Sequence, residues 1–198
     1  MLRKQLRPAV MLTLLLCVIT GFVYPGIVTG LAQLLFPHQA NGSLITSAKG
    51  EVIGSELIGQ SFSKPEYFHP RPSAAGNGYD DTTSSGTNLG PTSAKLADTL
   101  IAQAVDSAVK NDGARKGAIP SDMVTSSASG LDPHISPANA LLQVARVARA
   151  RGADTAAVRA LVTKHLEDRQ FGFFGEPRVN VLLLNLDLDR TLPLHTAP

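Results

Sequence analysis

Polar and apolar residues follow two regimes along this chain. From Pro8 to Phe36, 29 consecutive residues include no Asp, Glu, Lys or Arg, and about 20 apolar residues suffice to carry a helix across a bilayer. The run predicts a membrane helix over Ala9 to Leu31. Pro8 suits a first helical turn, whereas Pro25 removes an N–H inside the span and predicts a kink or thinning of the helix there. Tyr24 and Phe36 fall where interfacial aromatics are expected.

Beyond Pro37 the apolar pieces become short and periodic. Leu44-Ile45 and Val52-Ile53, either side of Lys49-Gly50, predict a small hairpin. Gly59 to Pro91 holds four prolines and five glycines but also Phe62, Tyr67, Phe68 and Tyr79, four of the chain's ten aromatics. Disordered linkers are poor in aromatics, so this stretch predicts a long ordered loop packed onto something. Leu96, Leu100, Ile101, Ala104, Val105 and Ala108 recur at helical spacing, and Gly113 is a natural stop. Ile119 to Thr125 predicts a short strand. Ser136 and Pro137 open a helix that runs to Arg151 and ends at Gly152, and Asp154 caps another that reaches about Leu166. The apolar run Arg178 to Leu188 predicts a central strand. Strands, then helices, then a closing strand make the fold class α+β: one N-terminal transmembrane helix, then a domain with a small sheet and about three helices.

Charge sets the direction of the span. Arg3, Lys4 and Arg7 precede the apolar run and all 16 acidic residues follow it, leaving 15 basic residues (18 minus three) against 16 acidic ones. A nearly neutral body argues against nucleic-acid binding, which needs a basic face. The three leading basic residues place the N-terminus in the cytoplasm and the rest of the chain outside. The expected organisation is a basic tail over 1–8, a span over 9–31 and one extracytoplasmic domain over 32–198. A cleaved signal, with Val28 and Gly30 at the cut, is the competing reading, but the apolar run continues through Leu35. Cys17 follows three leucines, unlike a lipoprotein acceptor, and a lone cysteine permits no intrachain disulfide.

Candidate chemistry is sparse. There is no phosphate-cradling glycine loop, and the five histidines have no metal-ligand neighbours at standard spacing. The densest polar cluster, Ser126 to Pro137, contains Ser, Asp and His, so a membrane-anchored envelope hydrolase using His134 is the alternative to be tested. The nucleophile elbow is absent, and Asp132 and Ser136 read as turn and cap residues. Gln143, Arg146 and Arg149 share one face of the helix that follows; a solvated face is the default, a partner-contact face the other reading.

Blocks of residues in order along the chain carry a resemblance. They are Thr20-Gly21, Tyr24-Pro25, Phe36-Pro37, Asn41-Gly42-Ser43, Gly54-Ser55, Leu57-Ile58-Gly59-Gln60 and Tyr67-Phe68-His69-Pro70-Arg71-Pro72-Ser73. They continue with Asn88-Leu89-Gly90-Pro91, Ser129 to Pro137, Gln143-Val144, Arg146-Val147-Ala148 and Gly175 to Leu182. In these blocks the chain resembles the C subunit of the Kdp-type potassium-transporting ATPases, bacterial P-type pumps; only Tyr79 to Thr87 looks looser than the family pattern.

The resemblance implies a non-catalytic subunit of a high-affinity potassium uptake complex in the bacterial inner membrane. Its partners would be a potassium-channel-like subunit, the P-type subunit that hydrolyses ATP, and a small accessory membrane subunit. The chain itself lacks the D-K-T-G phosphorylation motif. The family is also described as a catalytic chaperone that raises the ATP affinity of the hydrolysing subunit, which makes Gln143 an ATP-related residue. Positive-inside topology, however, sets a bilayer core of about 30 Å between Gln143 and cytoplasmic ATP, which leaves indirect coupling through assembly. Phe62, Tyr67, Phe68, Arg71 and Tyr79 are the candidate partner interface, since aromatics and Arg are favoured there. Gly21, Tyr24 and Pro25 are candidates for packing the membrane helix against partner helices.

Overall fold

A computed structural model of the chain describes residues 2–47 and 49–194; His195, among the histidines considered above, lies outside them. The chain divides into two compact units, with the boundary between Ser55 and Glu56. The hairpin therefore belongs with the N-terminal helix.

In the first unit, α1 (Leu2–Val18) passes through a π-helical turn (Ile19–Val23) into α2 (Tyr24–Leu35). The stretch Lys4–Leu35 counts 32 residues, about 48 Å of helix at 1.5 Å per residue, more than a bilayer core requires. Its side chains are exposed almost throughout. Pro25 explains the wider turn: it has no N–H for the Gly21 carbonyl, and Tyr24 N–H bonds back to Ile19 O instead. Phe36 leaves helical geometry (φ −137°) directly before Pro37, as a residue preceding proline tends to. After the single turn α3 (Pro37–Ala40), strands β1 (Leu44–Thr46) and β2 (Val52–Ser55) pair antiparallel, Leu44 opposite Ser55. Gly50 (φ 82°) supplies the left-handed turn position.

The second unit begins with an irregular segment that reaches Thr92. A π-helical turn (Lys95–Ile101) then leads into α4 (Ala102–Asp112), closed by Gly113 at φ 67°. Next come α5 (Ser121–Val124), β3 (His134–Ile135), α6 (Pro137–Arg151), α7 (Thr155–Lys164), β4 (Leu166–Glu167), β5 (Arg178–Asn180) and α8 (Val181–Thr191). The caps read from sequence are in place: Ser136 Oγ accepts from Asn139 N, Asp154 Oδ1 accepts from Ala156 N, and Gly152 adopts φ 64°.

Two expected strands differ. Ile119 to Thr125 contains the helical turn α5, because Asp122 accepts hydrogen bonds from Ser136 N (2.7 Å), Ser136 Oγ (2.9 Å) and Asn139 Nδ2 (2.9 Å), which ties this segment to the start of α6. The run Arg178 to Leu188 is a strand for three residues only. Asn180 then caps a helix, its Oδ1 accepting from Leu183 N at 3.1 Å. Val181, Leu184, Asn185 and Leu188 follow at i, i+3, i+4 and i+7, and all four are buried. A continuous apolar run suits a buried strand and a buried helix equally, and here the cap decided.

β5 is central in a three-stranded antiparallel sheet ordered β3-β5-β4, with Ile135 and Leu166 both opposite Val179. On it pack Ala140, Val144, Val147 and Ala148 of α6, Val158 and Val162 of α7, and Leu184 and Leu188 of α8. Phe68 of the irregular segment completes this core at 0 % exposure, a burial worth about 2–3 kcal/mol.

Candidate functional site

The aromatic loop has no strand or helix of its own to satisfy its backbone, so the helices beneath it do so with side chains. Five successive carbonyls are taken. Arg146 Nη1 donates to Pro65 O (2.6 Å) and Tyr67 O (2.8 Å), Arg151 Nε to Glu66 O (2.8 Å), Asn185 Nδ2 to Phe68 O (3.0 Å) and Gln143 Nε2 to His69 O (3.0 Å). The carboxamides also accept in return: Phe68 N–H reaches Asn185 Oδ1 at 2.9 Å and His69 N–H reaches Gln143 Oε1 at 2.7 Å. Gln143 further accepts from Arg146 Nη2 (2.6 Å) and donates to Asn139 Oδ1 (2.8 Å). Both its donors and both its acceptor positions are thus filled within the chain.

The default reading of this helix face as solvated is therefore corrected. Gln143 is 1 % exposed and Arg146 7 %, and only Arg149 faces water. A guanidinium buried there requires a counter-charge, and Asp112 at the end of α4 provides it, 2.7 Å from Arg146 Nε. Burial, then the Arg146 charge, hold the His69 imidazole below its ordinary pKa.

The second half of the loop is fastened to the Ser126–Pro137 segment. Arg71 Nη1 meets Asp132 Oδ2 at 2.9 Å, and its other nitrogens donate to Thr125 O and Ser126 O. Burial works against ionising Asp132, but hydrogen bonds from His134 and Arg71 outweigh it and hold the carboxyl below the usual carboxylate range. Tyr79 sits at φ 58°, an uncommon conformation for a non-glycine residue. It is held there by Ser73 Oγ, which accepts its N–H, and by its hydroxyl, which donates to Arg71 O at 2.8 Å. Burial pushes the Tyr79 phenol well above its ordinary pKa. Ser73 Oγ also donates to Gly130 O at 2.6 Å, and Gly130 (φ 68°) lets that strand of backbone approach.

A cleft of about 430 Å³ opens between this loop and α4. It brings together Phe62, Arg71, Tyr79 and Gln143, with Ser107 and Asn111 opposite. Two other residues singled out from sequence lie elsewhere. Phe68 is enclosed in the core, and Tyr67 lies over Arg151 (5.0 Å from guanidinium to ring centre) with its hydroxyl on Asp189 Oδ2 at 3.0 Å. Arg71 is the one cation among the residues lining the cleft, and it is already paired. The cleft thus offers no unpaired positive charge for a polyphosphate.

The Ser-Asp-His cluster does not assemble as a triad. Ser127 Oγ accepts from Gly130 N and Ser129 Oγ from Leu131 N, while Ser136 Oγ serves Asn139 and Asp122. His134 Nδ1 lies 3.6 Å from Asp132 Oδ1, but the Ser127, Ser129 and Ser136 hydroxyls are engaged with other groups. The hydrolase alternative thus lacks a nucleophile aligned with a base. Among the described residues no group of three or more His, Cys, Asp or Glu converges as a metal site.

On the membrane-type helix, Gly21 lies in the π-turn and Tyr24-Pro25 at its exit. Gly26 and Gly30 follow one turn apart, and a Cβ on any of these three glycines would meet nothing within 4 Å. This G-x-x-x-G spacing was legible but overlooked. Arg151 and Asn185 were also missed: the one resembles a solvated helix end, the other a polar interruption of an apolar run, and neither pattern points to a backbone 85 or 117 residues away.

Comparison with known proteins gives a consistent result. The family model described as KdpC, the K+-transporting ATPase c chain, matches residues 6–190. The chain is 57 % identical over 195 residues to the potassium-transporting ATPase KdpC subunit of Koribacter versatilis, covering 98 % of this chain and 99 % of that one. It is 60 % identical over 187 residues to the corresponding subunit of Gemmatimonas aurantiaca, covering 94 % and 92 %. For that of Geobacter sulfurreducens the identity is 51 % over 193 residues, covering 96 % and 100 %.

Proposed function

The chain belongs to the KdpC family, the c chain of K+-transporting ATPases, and from that premise we propose that it acts as an assembly subunit, holding its partners together from outside the cytoplasm rather than by touching ATP. As a KdpC subunit it is a non-catalytic component of a P-type ATPase complex. The proposed partners are a potassium-channel-like subunit, the ATP-hydrolysing P-type subunit and a small accessory membrane subunit.

The observation that carries the reading is Gln143. Its carboxamide is buried and has every hydrogen-bonding position engaged by its own chain. A nucleotide base or phosphate could reach it only by opening the loop. Any effect of this chain on ATP affinity is then indirect, a coupling through the assembled complex. The outer rim of the cleft, with Phe62, Arg71 and Tyr79, together with Tyr67 on the neighbouring loop surface, is the proposed docking face; Phe68 supports it from within.

The N-terminal helix is the proposed single-pass anchor in the inner membrane, its N-terminus cytoplasmic. Gly21, Gly26 and Gly30 would admit close approach of a partner helix, and Tyr24 and Pro25 shape the same stretch. The test is to co-express the four components with and without this chain, purify through a tag on the hydrolysing subunit, and measure potassium-stimulated ATPase activity. Omission should leave the channel-like subunit behind and abolish the stimulation. A complete, fully active complex formed without this chain would overturn the reading.

A further inference from the structure

The hairpin that joins β4 to β5 carries Phe171, Phe173 and Phe174 at 87, 65 and 57 % exposure. Among the described residues of this domain no other aromatic cluster faces water in this way, and none of the roles assigned above uses it. We infer that this tip is an anchor that inserts into an uncharged, apolar pocket on a companion subunit of the complex.

Three observations carry the inference. First, the tip is preformed. Gln170 N–H donates to Phe174 O and Phe174 N–H to Gln170 O, each at 2.9 Å, and Gly172 N–H closes onto Arg169 O at 3.0 Å. An ion pair between Arg169 and Glu176 (2.6 Å) braces the base, and the Phe173 and Phe174 rings lie 4.2 Å apart. Phe171 adopts φ 53°, a conformation that a bulky residue seldom takes. A rigid aromatic presented this way loses little freedom when it docks.

Second, the area fits an anchor. Taking a Phe side chain as roughly 200 Å², the three rings expose about 400 Å². That matches the largest apolar patch of an ordinary monomer, and such patches are often functional. It is about half of the roughly 800 Å² per partner in a standard interface. A second copy of this chain meeting it tip to tip would fall short of a stable dimer, whereas one element of a wider heteromeric contact needs no more.

Third, the charge excludes lipid as the favoured occupant. From Glu167 to Arg178 there are three acidic and two basic residues, a net of −1, and both arginines are paired, Arg169 with Glu176 and Arg178 with Glu167. An anionic bilayer surface attracts basic segments, and this hairpin offers it no free cation. An apolar protein pocket requires none.

The proposal rests on the assembly reading, and the experiment separates the two. A photoreactive benzoylphenylalanine replaces Phe171 in the co-expressed, intact complex. In parallel, the triple variant F171S/F173S/F174S is purified through a tag on this chain. The expected result is a cross-link to one companion subunit and a loss of co-purified companions by about tenfold or more. The melting temperature of the variant chain should be unchanged, because the replaced rings pack on no core. Cross-links only to lipid, only to a second copy, or to nothing would overturn the proposal. So would full assembly of the triple variant while the wild-type chain also assembles, an outcome that leaves the assembly reading intact. If the wild-type chain fails to recover its companions, the assembly reading falls, and this proposal with it.

Discussion

The Gln143 side chain pairs with the His69 backbone as a neighbouring β-strand would, accepting its N–H at 2.7 Å and donating to its C=O at 3.0 Å. Asn185, from a different helix, does the same for Phe68. Two carboxamides thereby substitute for a sheet edge and hold an irregular segment against the core.

Truncating either carboxamide leaves a buried N–H and C=O without partners, and each such group costs about 1–3 kcal/mol. Gln143→Ala and Asn185→Ala should each destabilise the chain by about 3 kcal/mol, read by denaturant unfolding of the full chain in detergent. Arg149→Ala, on the same helix but in water, should stay within about 0.5 kcal/mol of wild type. If Gln143→Ala left stability unchanged yet weakened ATP use by the complex, Gln143 would be a ligand residue and not a clamp.

Backbone approach is equally testable. A Cβ on Gly130 would lie 2.6 Å from Ser85 O and 2.7 Å from Ala75 N, at a φ of 68° that Ala resists. Gly130→Ala should cost about 2 kcal/mol or more. Gly90→Ala, where a Cβ meets nothing within 4 Å, should be neutral or slightly stabilising. Equal melting temperatures for the two variants would contradict the described packing of the loop on the Ser126–Pro137 segment.

These two tests also separate what local sequence signals announce from what they do not. Ser136, Gly152, Asp154 and Gly113 act within one helical turn of themselves, so the ends of α4, α6 and α7 were legible. The order of the packed loop was legible too, from aromatics that a linker would lack. What was not legible depends on partners far along the chain. Arg146 looks solvated until Asp112 and the carbonyls of Pro65 and Tyr67 arrive beside it. Val181 to Leu188 looks like a strand until Asn180 turns the chain into a helix. The exposed Phe171, Phe173 and Phe174 gave no periodic signal, and only the folded hairpin shows them turned outward.

His69 supplies a pH dependence. Its ring Nε2 lies 2.9 Å from Lys64 O, a contact that uses an Nε2–H. Burial and the nearby Arg146 charge lower its pKa below 6.5. The unfolded chain therefore takes up this proton first, and stability falls as pH drops below 6.5 toward the folded value; above 6.5 the full contribution is present. The half-buried carboxylate of Asp132 and the buried one of Asp187 are held below 3.8, so their contributions are retained until pH falls past that value. Unfolding free energies at about pH 7.5 and pH 5.5 should differ in the wild-type chain and differ less in His69→Gln. An identical drop in both proteins would remove His69 as the cause.

The central claim is that the folded domain works from the side of the membrane opposite to ATP. Its most direct test is the sidedness of a single cysteine. In a Cys17→Ser background, Asp106→Cys replaces a side chain that is 74 % exposed, and Lys4→Cys marks the other end of the helix. With the four components co-expressed, a membrane-impermeant maleimide is applied to intact cells whose outer membrane has been made permeable. The account predicts that Asp106→Cys is labelled at once and Lys4→Cys only after lysis. The reverse pattern would put Gln143 on the same side as ATP and contradict the account.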